Sequence, residues 1–482
     1  MSDAQTFIDT VLIPFLKIPS ISADESHKED CDNCAQFLVD YFKNIDFKVT
    51  RHPTARNDVV FASKEFNPNN PTVLFYGHYD VQPVRDWETD PFTPVIKGDS
   101  LIARGAADNK GQIAYVMYAL SKLTTSSYNI KVIIEGNEEY GSESFETFVE
   151  ENKELLKTNL IVITDTDTPI AGEIALTSTL KGIVVSRMVA ENPTELLNQI
   201  HNLHDPSTNK VLLDGFYDDV LEPLPIDPKI EKITQTEIEE AGINIKPEQG
   251  YTAVQHAWYR PTITPVQICG TEEYAGEAYK ISVKGPLHCL HSGSFGGPVI
   301  EPGLTLAHIA HILDNEILSV QYGCEEITTA IFPNGYMFVK EDPTPKKELL
   351  ESCGLPVTIE KQEVQLKPKI SMTHLTFRLV ANQKLPITVA DTTITACAAP
   401  YAVDVNDPLV AAFVKKITDQ QVVHTIASGG SIPISSTFAD HISKSILFLG
   451  LMPPNNKAHG PGENFPISSI EKGMHAILHA LK

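Results

Sequence analysis

The chain has 482 residues, of which 42% are hydrophobic and 21% are charged, and its formal net charge at pH 7 is -24. This length exceeds the size at which a single hydrophobic core usually stops growing, so we expect two domains. The chain has 38 Lys and Arg residues and 62 Asp and Glu residues. No part of the sequence contains the cluster of basic residues that binding to a phosphate backbone requires. The composition therefore argues against nucleic acid as a partner.

Targeting segments are not expected in this chain. The first twenty residues carry acidic residues early and lack both a basic leader and a small-residue cleavage site, so we expect a cytoplasmic protein. No apolar run approaches the roughly 20 residues that cross a bilayer, so we expect a soluble protein without membrane contact. Seven scattered cysteines do not form the dense framework of a small secreted domain, and we expect them to be reduced.

A helical pattern in the first fifty residues contains two cysteines. Cys31 and Cys34 form a C-x-x-C pair, but they lie on the apolar side of the pattern and no second pair follows. We interpret both as helix core rather than as metal ligands.

From residue 72 the sequence alternates short apolar runs, TVLFYG, IKVIIE and LIVIT, with helical patterns. This alternation predicts an α/β domain around a mostly parallel sheet, and reactive groups collect at the carboxyl edge of such sheets. The polar residues expected at that edge follow the three runs or precede a helix near residue 112: His78, Asp80, Asp108, Glu138, Glu139 and Asp165. Four separate segments therefore bring acids and a histidine to one edge.

Between about 184 and 383 the sequence changes to longer loops, Pro-rich stretches and isolated strand-like runs. We interpret 184–383 as an inserted α+β domain, and 1–183 and 384–482 as two parts of the α/β domain. The insert contains one spacing twice, as Pro193, Leu197, Ile200, Leu203 and Asp205 and again as Pro302, Leu306, Ile309, Ile312 and Asp314. This repeat predicts two amphipathic helices that cover one small sheet.

Five motifs occur in the order GHYDVQP, ARGAADNKGQ, EGNEEYGSE, ITDTDTP and AHGPGE, each beside a strand end or a helix start. One His-x-Asp or Glu-Glu pair alone is weak evidence, whereas the combination is specific. In these motifs the chain resembles the co-catalytic zinc peptidases and aminoacylases, which include carnosinase-like dipeptidases, glutamate carboxypeptidases and succinyl-diaminopimelate desuccinylase. The resemblance extends over nearly the whole chain and is strongest toward the carnosinase-like dipeptidases.

The resemblance implies a site with two divalent metal ions. It assigns His78 and Asp165 to one ion, Glu139 and His459 to the other, and Asp108 to both. Mixed imidazole and carboxylate ligands suit zinc, with manganese or cobalt as alternatives. Asp167 stands in the same loop as Asp165 and is an alternative ligand, but Asp165 directly follows the apolar run and is favoured.

Two acidic residues are implied to assist the metals. Asp80 would accept a hydrogen bond from the imidazole nitrogen of His78 that faces away from the metal. Glu138 would remain free beside Glu139 and would serve as general base and acid.

The resemblance also implies residues that bind substrate. CLHSGSFGG points to His291 as the histidine that reaches the scissile carbonyl, and FRLVANQ points to Arg378 as the partner of the substrate carboxylate. GGSIPIS points to Ser431 and the amides near Gly429 and Gly430 as further donors. A homodimer formed through the inserted domain is implied, with His291 of one subunit completing the other subunit's site.

The chain departs from the family in the order of two motifs. GFYDDV occupies 215–220 and HSG begins at residue 291, which is the reverse of the order in the relatives. We therefore expect a rearranged inserted domain, with the metal ligands unaffected.

The function implied by the resemblance is metal-dependent hydrolysis of the amide bond in dipeptides or small peptides. A deacylase acting on N-acyl or N-succinyl amino acids would use the same metals and base, and the sequence does not distinguish these substrates. A catalytically silent binding protein of the same fold is a third hypothesis, against which the intact ligand set argues.

Overall fold

The computed structural model describes residues 3–242, 244–285, 292–313, 316–322, 327–333, 354–384 and 392–482. The chain forms two compact units. The first comprises Met1–Ser178, Val403–Ile426 and Ile434–Lys482, and the second comprises Thr179–Ala402 and Ala427–Pro433. The domain limits inferred from sequence texture stay a prediction. Among the helices that the structure describes, none is long and apolar enough to cross a membrane.

The helices in chain order are α1 (Asp3–Phe7), α2 (Ile13–Leu16), α3 (Lys28–Asn44), α4 (Lys110–Ser121), α5 (Glu143–Glu151), α6 (Lys153–Leu156), α7 (Pro193–His201), α8 (Pro228–Ala241), α9 (Ala253–Tyr259), α10 (Pro302–Leu313), α11 (Pro408–Thr418), α12 (Ile434–His441) and α13 (Ile467–Leu481). A π-helical turn covers Ile8–Leu12, and 3₁₀ turns cover Glu25–His27, Glu138–Tyr140 and Pro454–Asn456.

The strands in chain order are β1 (Lys48–His52), β2 (Val59–Lys64), β3 (Thr72–His78), β4 (Val95–Lys97), β5 (Ser100–Ile102), β6 (Asn129–Glu135), β7 (Leu160–Ile163), β8 (Ile174–Leu180), β9 (Gly182–Ala190), β10 (His204–Asp205), β11 (Lys210–Val211), β12 (Thr262–Thr271), β13 (Tyr274–Lys284), β14 (Ser319–Tyr322), β15 (Ile327–Pro333), β16 (Val357–Leu366), β17 (Lys369–Leu379), β18 (Thr392–Ala398), β19 (Tyr401–Ala402), β20 (Val423–Ser428), β21 (Ile446–Gly450) and β22 (Asn464–Pro466).

The first unit is built on a sheet in which β1, β2, β6, β3, β7, β21 and β8 are neighbours in that order. Its four central strands, β6, β3, β7 and β21, are parallel, and the flanking strands are antiparallel. Nearly all residues of β3, β7 and β21 are buried, as expected for strands covered on both faces. The α/β fold predicted from the alternating pattern is confirmed.

Helices cover the two faces of this central sheet. On one face Phe75 joins the main core cluster together with α4 and α13, which pack against each other. On the other face the Tyr76 ring contacts Phe145 of α5 and Phe438 of α12, at centroid distances of 5.8 and 5.5 Å. Successive strand residues point to opposite faces, so the neighbours Phe75 and Tyr76 pack against different helices.

The helix α3 contains the two cysteines of the C-x-x-C pair. Cys31 and Cys34 are free thiols and are buried in the same core cluster as Leu38 and Phe42. Burial raises the pKa of Cys31 to about 12, so its thiol stays protonated. The interpretation of this pair as helix core agrees with its surroundings.

The second unit is built on an eight-stranded antiparallel sheet of order β16-β13-β15-β14-β12-β17-β9-β18. Helices α7 and α10 both pack on this sheet and against each other. Their apolar faces supply Leu197, Ile200, Leu306 and Ile309, all fully buried, to a core cluster of the unit. The repeat thus marks two amphipathic helices on one sheet, as predicted.

Candidate metal centre

The first unit's parallel strands place several polar segments at one edge of their sheet. β3 ends at His78, the loop after β7 carries Asp165, and the 3₁₀ turn after β6 carries Glu138 and Glu139. Asp108 lies in the turn just before α4. Because parallel strands run in the same direction, their carboxyl ends meet at this edge.

Three of these residues form the first of two groups whose possible ligand atoms lie within 4.8 Å of one another, namely His78, Asp108 and Asp165. The Nε2 atom of His78 lies 3.0 Å from Asp108 Oδ1 and 3.6 Å from Asp165 Oδ2. Asp167, the alternative in the same loop, is exposed and forms a β-bridge with Met452. The structure therefore brings Asp165, and not Asp167, beside His78.

The second group consists of Asp108, Glu139 and His459. His459 lies in the loop between the Pro454–Asn456 turn and β22, and its Nε2 is 3.0 Å from Asp108 Oδ2 and 3.5 Å from Glu139 Oε2. Asp108 thus presents one carboxylate oxygen to each group. A carboxylate in this position can bridge two cations.

Negative charge is crowded at this edge. Burial raises the pKa of Glu138 and of Glu139 well above the usual range, and burial together with the charge of Asp108 raises the pKa of Asp165 to about 6. Burial also disfavours the charged form of Asp108, but hydrogen bonds with the two histidines outweigh it and hold its pKa below the usual range. Divalent cations would offset this excess charge, and the mixed imidazole and carboxylate donors suit zinc, manganese or cobalt.

Asp80 is fully buried and has two structural roles. The Nδ1 atom of His78 lies 3.1 Å from the Asp80 carbonyl oxygen and 3.4 Å from its Oδ1, on the side of the ring away from Asp108. The Asp80 carboxylate also accepts backbone N–H bonds from Glu138 and Glu139, at 3.2 and 3.0 Å. Asp80 therefore orients the His78 ring and also holds the turn that carries the Glu-Glu pair, a role that the sequence analysis did not identify.

Two side-chain amides orient the candidate ligands. Asn109 accepts the backbone N–H of His78 at 3.3 Å and donates to Asp165 Oδ1 at 2.9 Å. Gln82 donates to Glu139 Oε2 at 2.8 Å. Both amides lie inside the motifs GHYDVQP and ARGAADNKGQ, so the motifs contained a signal that the sequence analysis did not use.

A buried ion pair joins the loops that carry Asp108 and His459. The fully buried Glu463 carboxylate accepts backbone N–H bonds from Gly105, Ala107 and Asp108 at 2.9 to 3.0 Å. Arg104 donates to the same carboxylate at 2.7 Å and to the His459 carbonyl oxygen at 3.0 Å. Glu463 ends the motif AHGPGE and Arg104 lies in ARGAADNKGQ, but only the folded chain shows that the two residues meet.

The second unit contains Arg378, whose side chain is only 5% exposed. Its guanidinium donates to Ser431 Oγ at 2.8 Å and to Ser292 Oγ at 3.0 and 3.3 Å. No carboxylate pairs with it within the described ranges of the chain, and burial alone lowers its pKa to about 10. A buried cation held only by hydroxyl groups is suited to receive an anion.

The remaining predicted substrate residues have different surroundings. Gly429 lies so close to the Gly293 carbonyl oxygen that a Cβ would come within 1.9 Å of it. The Gly430 N–H donates to Ser428 Oγ at 3.0 Å, and its carbonyl oxygen accepts from the N–H of Lys181 at 3.0 Å. The Gly430 amide is therefore already engaged within the loop. His291 lies outside the described residues.

Comparisons with known proteins agree with the motifs. The profile of peptidase family M20/M25/M40 matches residues 74–482. The Cys-Gly metallodipeptidase dug1 of Schizosaccharomyces pombe is 28% identical over 311 residues, which cover 56% of this chain and 65% of that protein. The Beta-Ala-His dipeptidase of Homo sapiens is 40% identical over 116 residues, which cover 22% of this chain and 23% of that protein. The matched segments thus span 65% or less of the length of these relatives.

Solved structures share the fold. Human carnosine dipeptidase 1 superposes with a TM-score of 0.61 at 17% identity, covering 99% of this chain and 96% of that one. The M20 family metallo-carboxypeptidase Sso-CP2 from Sulfolobus solfataricus superposes with a TM-score of 0.62 at 21% identity, covering 100% and 98%. With the family profile matched over most of its length, this chain belongs to peptidase family M20/M25/M40.

Proposed function

We propose that the chain is a metal-dependent hydrolase that cleaves the amide bond of dipeptides or other small peptides with two divalent metal ions. The observation that carries this proposal is the position of Asp108, whose two carboxylate oxygens each face a separate histidine and a separate second acid. An ordinary salt-bridge network does not require a carboxylate shared between two such groups.

Five residues would hold the metals, and zinc is the metal that we propose, with manganese or cobalt as alternatives. His78 and Asp165 would bind one ion, Glu139 and His459 the other, and Asp108 both. When bound, two ions lower the pKa of a shared water and polarise the scissile carbonyl. Asp80, Asn109 and Gln82 support the proposal because each forms a hydrogen bond that orients a proposed ligand.

Glu138 is proposed as the general base. It belongs to neither ligand group, yet it is adjacent in sequence to Glu139 and its backbone is anchored by Asp80. Its carboxylate would take a proton from water as the oxygen bonds to the amide carbon, and would give that proton to the leaving amine as the C–N bond breaks. His291 is proposed to stabilise the oxyanion formed between these two steps.

Arg378 is proposed to bind the substrate carboxylate, and Ser431, whose hydroxyl accepts from Arg378, is proposed to position the guanidinium. The guanidinium is buried, and its partners among the described residues are hydroxyl groups, so an incoming carboxylate would supply a counter-charge. The Ser431 hydroxyl donates to the Lys181 carbonyl oxygen at 2.6 Å, which holds its oxygen toward Arg378. A peptide with a free C-terminus fits this chemistry.

The names of the relatives favour dipeptides over acylated amino acids. Cys-Gly and Beta-Ala-His dipeptidases are similar to this chain, but so is the succinyl-diaminopimelate desuccinylase of Sulfurovum, at 28% identity over 130 residues. A deacylase is therefore the second candidate. It would use the same base and the same carboxylate-binding arginine.

A substrate panel separates these candidates. The full chain, stripped with a chelator and reconstituted with zinc or manganese, is assayed against Cys-Gly, β-Ala-His, other dipeptides, N-acetyl amino acids and N-succinyl amino acids. We expect dipeptide hydrolysis that is lost after chelation and restored by metal. Turnover of acylated amino acids alone would establish the deacylase. No turnover of any substrate by the fully metallated protein would favour the catalytically silent binding protein.

A further inference from the structure

The eight-stranded sheet of the second unit has the same organisation when followed from either edge. From one edge the strands are β18, β9, β17 and β12, and from the other edge they are β16, β13, β15 and β14. Every pairing within the sheet is antiparallel. The two sets of four meet where β12 pairs with β14, from Ile268↔Tyr322 to Thr271↔Ser319. The sheet is therefore composed of two four-stranded halves.

The chain passes through the two halves in the same order. In each half it enters the strand next to the outer edge (β9 or β13), continues into a helix (α7 or α10), and later forms the innermost strand (β12 or β14). In the first half β10, β11, α8 and α9 are inserted between the helix and the innermost strand. It next forms the third strand (β17 or β15) and ends on the edge strand (β18 or β16). The second half, residues 274–366, is contiguous and lies in sequence between β12 and β17 of the first. Because corresponding strands follow in the same order along the chain and occupy the same positions in the sheet, the two halves share one topology.

The sequence repeat falls on equivalent elements of these halves. Pro193 and Pro302 are the first residues of α7 and α10. The apolar positions that follow at the same spacing, Leu197 and Ile200 in one helix and Leu306 and Ile309 in the other, are fully buried. α7 packs on β9, β17 and β12, and α10 packs on β13, β15 and β12. Each helix thus covers strands of its own half, and α10 also contacts β12, the innermost strand of the other half.

Contacts join the halves at their common boundary. The Thr271 and Ser319 hydroxyl groups are 2.9 Å apart at the end of the β12–β14 pairing. The His201 ring of α7 stacks on His311 and His308 of α10, at centroid distances of 4.0 and 5.2 Å. These histidines form part of the helix-to-helix contact.

We infer that the second unit is an internal dimer, in which two copies of one strand–helix–three-strand module pair edge to edge about an approximate twofold axis. A module on its own would expose the unpaired edge of its innermost strand and one side of its helix. Such a surface can bind the same surface of a second copy in a symmetric contact. In this chain the second module occupies that surface. Each module is therefore paired with the other module of the same chain, and the protein is a monomer.

The outer edge of the second module fits this arrangement. β16 carries Glu360, Lys361 and Glu363 among alternately exposed residues. Charged side chains along an edge strand oppose further edge-to-edge pairing. The homodimer implied by the family resemblance is thus replaced by pairing within one chain, and this inference does not depend on the proposed catalytic activity.

A disulfide across the boundary tests the inference. Cys269 is a free, partly exposed thiol whose Cα pairs with that of Gln321 on β14. Paired residues of antiparallel strands lie about 4.5 to 5.5 Å apart, which is within reach of a disulfide. The variant Gln321→Cys is oxidised mildly at low protein concentration and run on a denaturing, non-reducing gel. The matched control is the double variant Cys269→Ser, Gln321→Cys, which keeps the new thiol and removes its partner.

We expect Gln321→Cys to form a bond that peptide mapping places between Cys269 and position 321, in a product with the mass of one chain, 53.1 kDa. The control should lack this bond. Sedimentation of the unmodified protein at micromolar concentration should likewise give one chain. A reducible product of twice that mass through Cys269, sedimentation as a dimer, or no bond at all would each overturn the inference, because β12 and β14 would then not pair within one self-sufficient chain.

Discussion

Replacing Glu463 by Gln removes the charge from a buried carboxylate that accepts three backbone N–H bonds and pairs with Arg104. The Arg104 side chain is 2% exposed, so it would be left as a buried cation without its partner. Breaking a buried pair in this way costs about 3 to 5 kcal/mol. Because Glu463 binds the Asp108 amide and Arg104 binds the His459 carbonyl, the same change should loosen two proposed metal ligands.

The assay measures both effects on the full chain. Denaturant unfolding of the metal-free protein should show the loss of free energy of unfolding, and competition with a chelator should show zinc affinity reduced by about 10 to 100-fold. Glu65→Gln is the control, since Glu65 is exposed in the same unit and surface changes usually stay within about 0.5 kcal/mol. Equal stability and equal zinc affinity in the two variants would refute the positioning role of Glu463.

Four further predictions concern the proposed site. Asp108→Ala should lose both metal ions together, so that elemental analysis after zinc reconstitution falls from about two equivalents toward none; retention of one equivalent would contradict a bridging role. Glu138→Gln should keep the metals and lower kcat by about 10² to 10⁴-fold, whereas Glu139→Gln should first weaken zinc binding, and a near-normal kcat in Glu138→Gln would remove it from the base role. Arg378→Met should raise KM for a dipeptide by about 10 to 100-fold, as expected for losing a hydrogen-bonded charge, with little effect on the C-terminal amide of the same peptide; an equal effect on both would exclude carboxylate recognition. Mixing Glu138→Gln with His291→Ala protein should restore no activity if each chain is self-sufficient, and recovery would show that subunits share a site.

The sequence pointed to the sheet edge that carries the proposed metal ligands because the signal for a strand end is local. An apolar run such as LIVIT can only be a buried strand in this context, and a polar residue directly after it must lie at the strand's carboxyl end. This placed Asp165 ahead of Asp167, and the structure sets Asp165 beside His78. A prediction of this kind depends only on recognising where a buried strand ends and which polar residue comes directly after it.

The contacts that hold those residues in place could not be predicted in this way. Glu463 and Arg104 are 359 residues apart in sequence, and no pattern of spacing indicates that their side chains meet. The same is true of Asp80, whose carboxylate oxygens accept the amides of Glu138 and Glu139. Hydrogen bonds between loops depend on how the loops approach one another, and the approach is decided by packing elsewhere in the core.

The internal repeat lies between these two cases, and it bears on the reversed order of two motifs. Its helices could be recognised in the sequence because a buried helical face requires apolar residues at a regular spacing. The strand β14 has only four residues, which is too short to give a recognisable pattern. The displacement of HSG to residue 291 therefore indicated a rearranged domain, and this stays a prediction. In the folded unit, HSG follows β13 and precedes α10, the position that corresponds in the first module to the short turn between β9 and α7. On the inference that the second unit contains two modules, HSG lies in one module and GFYDDV follows the helix of the other, which accounts for the reversed order.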